Sequence, residues 1–352
     1  MRRAANMEAM SSKSGDFPRY GVVGAGLVGN YLGGLLALGG RRVTLVGRGP
    51  IGGDLARHGM RLTDYRGWSA RPEGFVFVTD MAALAGCDVI LVCVKSPDTD
   101  ATARALDGVI AHNALVVSFQ NGVRNARTLR ERLPERTVLP GLVPFNVTSP
   151  EPGRFHKATQ GDLFWRTAPG RRVLDMQAAF REAGQAVELR DPMLGLQWGK
   201  LLLNLNNALN VLQGGPLREG LRQRGYRRVL AAMIGEGVRA LAAADIRPEA
   251  ATRIPPARLP GVLRLPNPLF TLAMDRVATI DASARSSMLE DLERGRASEN
   301  DWIQGELIRL ARRGGVSVEV NRRVGEAVEA AFAVGTSPRM SGREMAERFL
   351  GR

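Results

Sequence analysis

Two cysteines, Cys87 and Cys93, are all that 352 residues hold, and they sit on or beside one predicted strand. That spacing suits neither a disulfide framework nor a metal cage, so reduced thiols and a cytoplasmic protein without a bound metal are the expectation. Aromatic residues make up only 5% of the chain, which leaves few rings on which nucleic-acid bases could stack. Long apolar runs are missing too. Every hydrophobic stretch is broken by Gly, Arg or Asp well short of the roughly 20 residues a membrane span requires. The first residues lack the compact apolar segment of a secretory signal, and Glu8 and Asp16 argue against a transit peptide. Met1 to Arg19 therefore read as a polar, mobile tail.

What is present in excess is positive charge, a formal +14. The arginines come as scattered doublets, such as Arg41-Arg42 and Arg322-Arg323, that never grow into a basic block. They read as solvated surface with a general attraction for anionic small molecules, not as a nucleic-acid or membrane footprint. A hydrophobic content of 44% supplies a sizeable core and, at this length, about two domains.

Up to about residue 145, short apolar strands alternate with helical segments: Tyr20–Val23, Arg42–Val46, Phe75–Val78, Val89–Val94, Leu115–Phe119 and Thr137–Leu139. That alternation predicts an α/β fold with a parallel, Rossmann-type doubly wound sheet. Residues 147 to 190 resemble a few more strands that complete or extend it. Beyond Pro192 the period is helical, except in Pro255–Pro268, whose prolines forbid one regular helix. The expected organisation is a tail over 1–19, a dinucleotide-binding domain over 20–191 and an all-helical C-terminal domain over 192–352.

The first strand runs into Gly24-Ala25-Gly26-Leu27-Val28-Gly29 at the start of a helix. A glycine triplet in that context allows a tight turn, close approach of a pyrophosphate, and close packing of helix on strand. At the end of the second strand, where an NAD enzyme usually carries an acid, the chain has Arg48. A guanidinium there offers a planar cationic fork to a 2′-phosphate, so NADP(H) is the expected cofactor. Two later strands end in Lys95 and Asn121, at the edge where open parallel sheets bind ligands.

In the helical half, Lys200 lies in an apolar run with Asn204 and Asn207 at i+4 and i+7. On one continuous helix the three would share a face. A buried ammonium without a partner is costly, so the run calls for either a snorkelling lysine or a polar pocket.

Taken together, Gly24-x-Gly26-x-x-Gly29, Arg48, Val94-Lys95, Gln120-Asn121-Gly122, Trp198-x-Lys200-x-x-x-Asn204 and Ser286-Ser287-Met288-Leu289-x-Asp291-x-x-x-Gly295-x-x-x-Glu299 resemble the ketopantoate reductase (2-dehydropantoate 2-reductase) family over nearly the whole chain after the tail. The resemblance implies an active site in the cleft between the two domains, with Lys200 as general acid and Glu299 near both lysine and cofactor. It implies Lys95 and Asn121 on NADPH, and Asn204 and Ser287 on the carboxylate or hydroxyl groups of a 2-keto acid. The family's second asparagine falls at i+8 from the lysine, where this chain has Ala208; Asn207 is the nearest carboxamide. The expected activity is NADPH-dependent reduction of 2-dehydropantoate to (R)-pantoate. Alternatives are reduction of another branched 2-keto acid, a β-hydroxy acid dehydrogenase, and an NADPH-sensing protein without catalysis. The sequence leaves the oligomeric state open, and a homodimer is compatible with it.

Overall fold

A computed structural model describes residues 17–250, 254–277 and 284–351, with the backbone alone in 273–277. The expected tail lies outside the described residues up to Asp16. Its last residues are packed, because the Phe17 ring sits 4.3 Å from the Arg41 guanidinium and the Arg19 N–H donates to Asp88. The chain divides into two compact units, residues 1–120 with 125–191, and residues 121–124 with 192–352.

Among its described residues the first unit carries twelve strands: β1 (Tyr20–Val23), β2 (Val43–Val46), β3 (Arg61–Asp64), β4 (Ser69–Ala70), β5 (Phe75–Val78), β6 (Val89–Val92), β7 (Leu115–Ser118), β8 (Thr137–Leu142), β9 (Val147–Thr148), β10 (Arg154–Lys157), β11 (Leu163–Arg166) and β12 (Val187–Arg190). Its helices are α1 (Leu27–Leu38), α2 (Gly49–His58), α3 (Thr99–Asp107), α4 (Asn125–Arg132) and α5 (Arg171–Glu182). Eight strands form one sheet in the order β12-β11-β8-β7-β6-β1-β2-β5, parallel except between β8 and β11. Strand order reverses at β1, whose neighbours are β2 and β6. Alternate residues feed the two faces: Val22, Leu45, Leu91 and Val117 enter one core, while Val23, Val46, Val92 and Val116 enter the other.

The residues after Val147 only partly extend this sheet. β11 and β12 do so, whereas β9 and β10 join β3 and β4 in a separate four-stranded sheet. β3 and β10 pair in parallel although they lie 93 residues apart in sequence. Leu62 and Phe155 of that small sheet pack into the same core as α1.

The second unit is helical: α6 (Leu194–Asn204), α7 (Asn206–Gln213), α8 (Leu217–Arg222), α9 (Arg224–Ala243), α10 (Leu259–Leu263), α11 (Asn267–Val277), α12 (Ser287–Glu293), α13 (Asn300–Arg313), α14 (Glu319–Val334) and α15 (Gly342–Leu350). The proline-rich stretch breaks into a 3₁₀ turn, the short α10 and the start of α11. The buried Arg227 guanidinium ties it down by donating to the carbonyls of Leu263 and Leu265 and to Asn267 Oδ1. The run around Lys200 is two helices, interrupted at Leu205, and not one.

Candidate active site

In the first unit the glycine loop occupies the carboxyl end of β1. Gly24 has φ +86°, and a Cβ there would meet the Val94 nitrogen at 2.5 Å; a Cβ on Gly29 would meet the Gly24 carbonyl oxygen at 2.3 Å. Both glycines are therefore demanded by the protein itself. Gly26 is different. A Cβ on it finds nothing closer than 4.0 Å, so the space in front of it is open to a ligand. The Ala25 N–H is spent on the Val46 carbonyl, at 2.9 Å. Leu27 and Val28 open α1, where first-turn amides lack helical acceptors, no acid stands in that turn, and Gly26 offers no capping side chain. Asn30, missed from sequence, pins the loop from below. Its Nδ2 donates to the carbonyls of Ala25 (2.6 Å) and Gly26 (2.8 Å), and the side chain is wholly buried.

Arg48 follows β2 and is exposed; its carbonyl accepts from the Ile51 N–H, while its guanidinium makes no hydrogen bond or ion pair among the described residues. An anion-ready helix start, open space at Gly26 and a free guanidinium fit the pyrophosphate and 2′-phosphate of NADP(H).

Lys95, half-buried, follows β6 and precedes a 3₁₀ turn, Ser96–Asp98. A buried polar network joins the ends of β6 and β7. Gln120 Nε2 donates to Thr99 Oγ1 (2.6 Å) and the Val94 carbonyl (3.2 Å), Ser118 Oγ donates to Gln120 Oε1, and Asn125 Nδ2 donates to Ser96 Oγ. The sequence signal for this network is a cluster of uncharged polar residues at strand ends that are otherwise apolar.

In the helical unit, Lys200 Nζ donates to Asn121 Oδ1 at 3.0 Å, from a residue 79 positions away. Burial pulls the lysine down to about 8, opposed by the charge of Glu299. Glu299 itself is buried at the start of α13. Lys200 keeps a partly accessible surface, as do Asn204 and Asn207, whereas Leu201, Leu202 and Leu205 are buried. The helix before Lys200 is sheathed by backbone. A Cβ on Gly199 would lie 1.8 Å from the Glu249 carbonyl oxygen, and Glu249 N–H donates to the Gly195 carbonyl. Those two glycines admit the 247–249 segment along one face of α6.

The side chains of Asn204, Asn207 and Ser287 make no hydrogen bond among the described residues and are at least partly exposed. Ser286, by contrast, is structural: its Oγ accepts from the Leu289 N–H and caps α12. The wholly buried Asn210 accepts from the Ser286 N–H at 2.9 Å and donates to the Gly215 carbonyl at 2.7 Å, which fixes the turn presenting Ser287. Ala208 is fully buried, so position i+8 faces the core and Asn207 is the accessible carboxamide.

Lysine is rare in this chain. Only Lys13, Lys95, Lys157 and Lys200 are lysines among 49 Lys and Arg residues. Arginine stays charged at any working pH, whereas lysine can release its proton, so a lysine retained among arginines is itself a signal.

A dinucleotide loop on a doubly wound sheet, with a pKa-lowered lysine on an attached helical unit, defines an NADP-dependent oxidoreductase. Comparison with known proteins specifies the family. A profile described as ketopantoate reductase PanE/ApbA matches residues 20–170, and its C-terminal counterpart matches residues 193–331. The chain is 31% identical to the 2-dehydropantoate 2-reductase of Halobacterium salinarum over 88% of its own length and 97% of that protein. The crystal structure of a PanE/ApbA family ketopantoate reductase from Ralstonia eutropha is 29% identical, with a TM-score of 0.76 over 90% of this chain and 99% of that one. A D-mandelate dehydrogenase solved with NADH and anilino(oxo)acetate shares the fold, with a TM-score of 0.71 at 18% identity over 90% of this chain and 99% of that one. The chain belongs to the ketopantoate reductase family.

Proposed function

We propose that the protein reduces 2-dehydropantoate to (R)-pantoate with NADPH, on the route to pantothenate and coenzyme A. The observation that carries this reading is the Lys200–Asn121–Glu299 cluster, a partly accessible ammonium that donates to Asn121 Oδ1, feels the Glu299 charge and has its pKa lowered to about 8.

NADPH, when bound, supplies the hydride that reaches the ketone carbon. As it does so, negative charge grows on the carbonyl oxygen, and the Lys200 ammonium stabilises it and then gives it a proton. The lysine is left neutral and regains a proton from solvent. A pKa of about 8 suits both steps, because the group is mostly charged at pH 7 yet parts readily with its proton. Glu299 opposes the desolvation of the ammonium, and Asn121 fixes its direction through Oδ1. Asn204, Asn207 and Ser287 offer amide and hydroxyl donors to the substrate carboxylate and hydroxyl without adding a fixed charge. Arg48 and the α1 amides hold the phosphates, and Lys95 lies at the strand end that faces the cofactor.

A second reading, reduction of another branched 2-keto acid, is favoured by one observation: the i+8 position holds a fully buried Ala208 in place of an asparagine, and Asn207 is a nearby partly accessible carboxamide. NADPH consumption across a panel of 2-keto acids separates the two. 2-Dehydropantoate should give the highest kcat/KM; a higher value for a different branched keto acid selects the second reading, and no turnover of any keto acid rejects both. The reading includes a small-molecule partner only, a cytoplasmic location and a homodimeric assembly; no described helix is long and apolar enough to cross a membrane.

A further inference from the structure

The four residues Asn121–Arg124 follow β7 in the chain but pack with the helical unit. They form neither helix nor strand, and Gly122 at φ +88° lets the backbone turn between the two ends. Each end is held by a side chain. Asn121 Oδ1 accepts from Lys200, Val123 packs against the helical core, and Arg124 is gripped on three sides. One Arg124 nitrogen lies 2.7 Å from Asp301 Oδ2, the other lies 3.0 Å from Glu306 Oε1, and the guanidinium stacks 4.7 Å from the centre of the Trp302 ring.

This grip is not an ordinary surface pair. Glu306 is buried, Arg124 is largely covered, and Arg309 bonds both acids, at 2.6 Å to Asp301 and 2.8 Å to Glu306. Burial alone would raise the Asp301 carboxyl, but Arg309 and Arg124 hold it below the ordinary range. Two cations and two carboxylates thus close a neutral network of the kind that fixes geometry. Its place in the chain is what matters. Asp301 and Trp302 lie in the first turn of α13, immediately after Glu299, the carboxylate that acts on Lys200. One helical turn therefore sets both the charge beside Lys200 and the anchor of the loop that brings its hydrogen-bond acceptor.

We infer that Arg124 is a positioning residue for Lys200: clamped to Asp301, Glu306 and Trp302, it holds the Asn121 carboxamide against the ammonium. The inference rests on the reading of Lys200 as the proton donor. Among the described residues the Glu299 charge acts on Lys200; Asp301 and Glu306 face Arg124, and Arg309 bonds both. Without the clamp Asn121 moves off, the ammonium loses an acceptor, and its proton is held less tightly. A hydrogen bond to a charged group corresponds to a shift of about one pH unit.

The test uses Arg124→Gln and Asp301→Asn in the full chain, with Arg124→Lys as the conservative variant. Two readouts are taken: the pH profile of kcat for NADPH-dependent keto-acid reduction, and the pH dependence of Lys200 acetylation by acetic anhydride. Mass spectrometry follows the labelling, with Lys95 as internal reference. In Arg124→Gln the alkaline limb of kcat and the Lys200 titration should both move down by about one unit, with KM for NADPH little changed and Arg124→Lys recovering part of the shift. Asp301→Asn should move them the same way by less. A Lys200 titration unchanged in both variants, whatever their melting temperatures, overturns the inference. Absence of keto-acid turnover in the unmutated protein rejects the proposed reaction instead, and the labelling still decides the role of Arg124. Should Arg124→Gln fail to fold, Asp301→Asn decides by the same two readouts.

Discussion

Replacing Glu299 by Gln removes a charge from beside Lys200 while keeping nearly the same shape. The lysine has two opposing influences, burial that lowers its pKa and the Glu299 charge that raises it, with a balance of about 8. A neighbouring carboxylate raises an ammonium's pKa by about 1–3 pH units when the two are in contact, and because burial is the larger influence here we take about one unit. The variant's lysine then titrates about one unit lower. The acid form is the active one, so the rate is full below the pKa and falls as pH rises through it. At pH 6 both proteins are about nine-tenths protonated or more, and rates differ little. At pH 8 the protein is about half protonated and the variant about one-tenth, a roughly fivefold loss; at pH 9 the loss approaches about tenfold. The assay is initial-rate NADPH oxidation at saturating substrate from pH 6 to pH 9. A loss of constant size across that range would refute the reasoning, because it would mean that Glu299 contributes through binding or shape and not through the lysine's charge.

Lys200→Ala should lower kcat by about 100-fold or more, the contribution of a positioned acid and charge stabiliser, and rates near those of the unmutated protein would remove Lys200 from the mechanism. Gly26→Ala should fold normally, since its Cβ meets nothing closer than the Gly24 carbonyl oxygen at 4.0 Å, yet weaken NADPH binding at least about tenfold by titration, because the methyl group fills the space left for pyrophosphate. Gly29→Ala should instead lower the melting temperature, as its Cβ would strike the Gly24 carbonyl oxygen. Arg48→Gln should raise KM for NADPH about tenfold or more and leave KM for NADH nearly unchanged, the difference expected from one lost charge-assisted contact with the 2′-phosphate; equal effects on both would refute the cofactor assignment.

The main sheet could be read from sequence because its strands are short apolar runs separated by helical periods, and both signals are local. The small second sheet could not. Its strands are two to four residues long, and β3 pairs on one side with the two-residue β4 and on the other with β10, far along the chain. The glycine loop was legible as a motif, but Asn30 beneath it looked like one more polar residue on α1 until its amide was seen holding Ala25 and Gly26. The same holds for Asn121. At a strand end it read as a ligand contact, and nothing in the residue order showed that its carboxamide also accepts from Lys200. Gly199 gave no hint of the Glu249 backbone against it, and Ala208 could not be assigned to the core while α6 and α7 were taken as one helix.

Lys200 among leucines called from sequence for either a snorkelling lysine or a polar pocket, since a buried ammonium must be partnered or shifted. Residue order alone was enough for that pair of alternatives, for the glycine loop and for the alternation of strand and helix, because each depends on neighbours within a few positions. Which partners meet the lysine, and how far its proton is loosened, depends on groups 79 and 99 positions away, Asn121 and Glu299. Electrostatic interaction falls with distance in space and not along the chain, so only the packed tertiary structure could place those groups within reach.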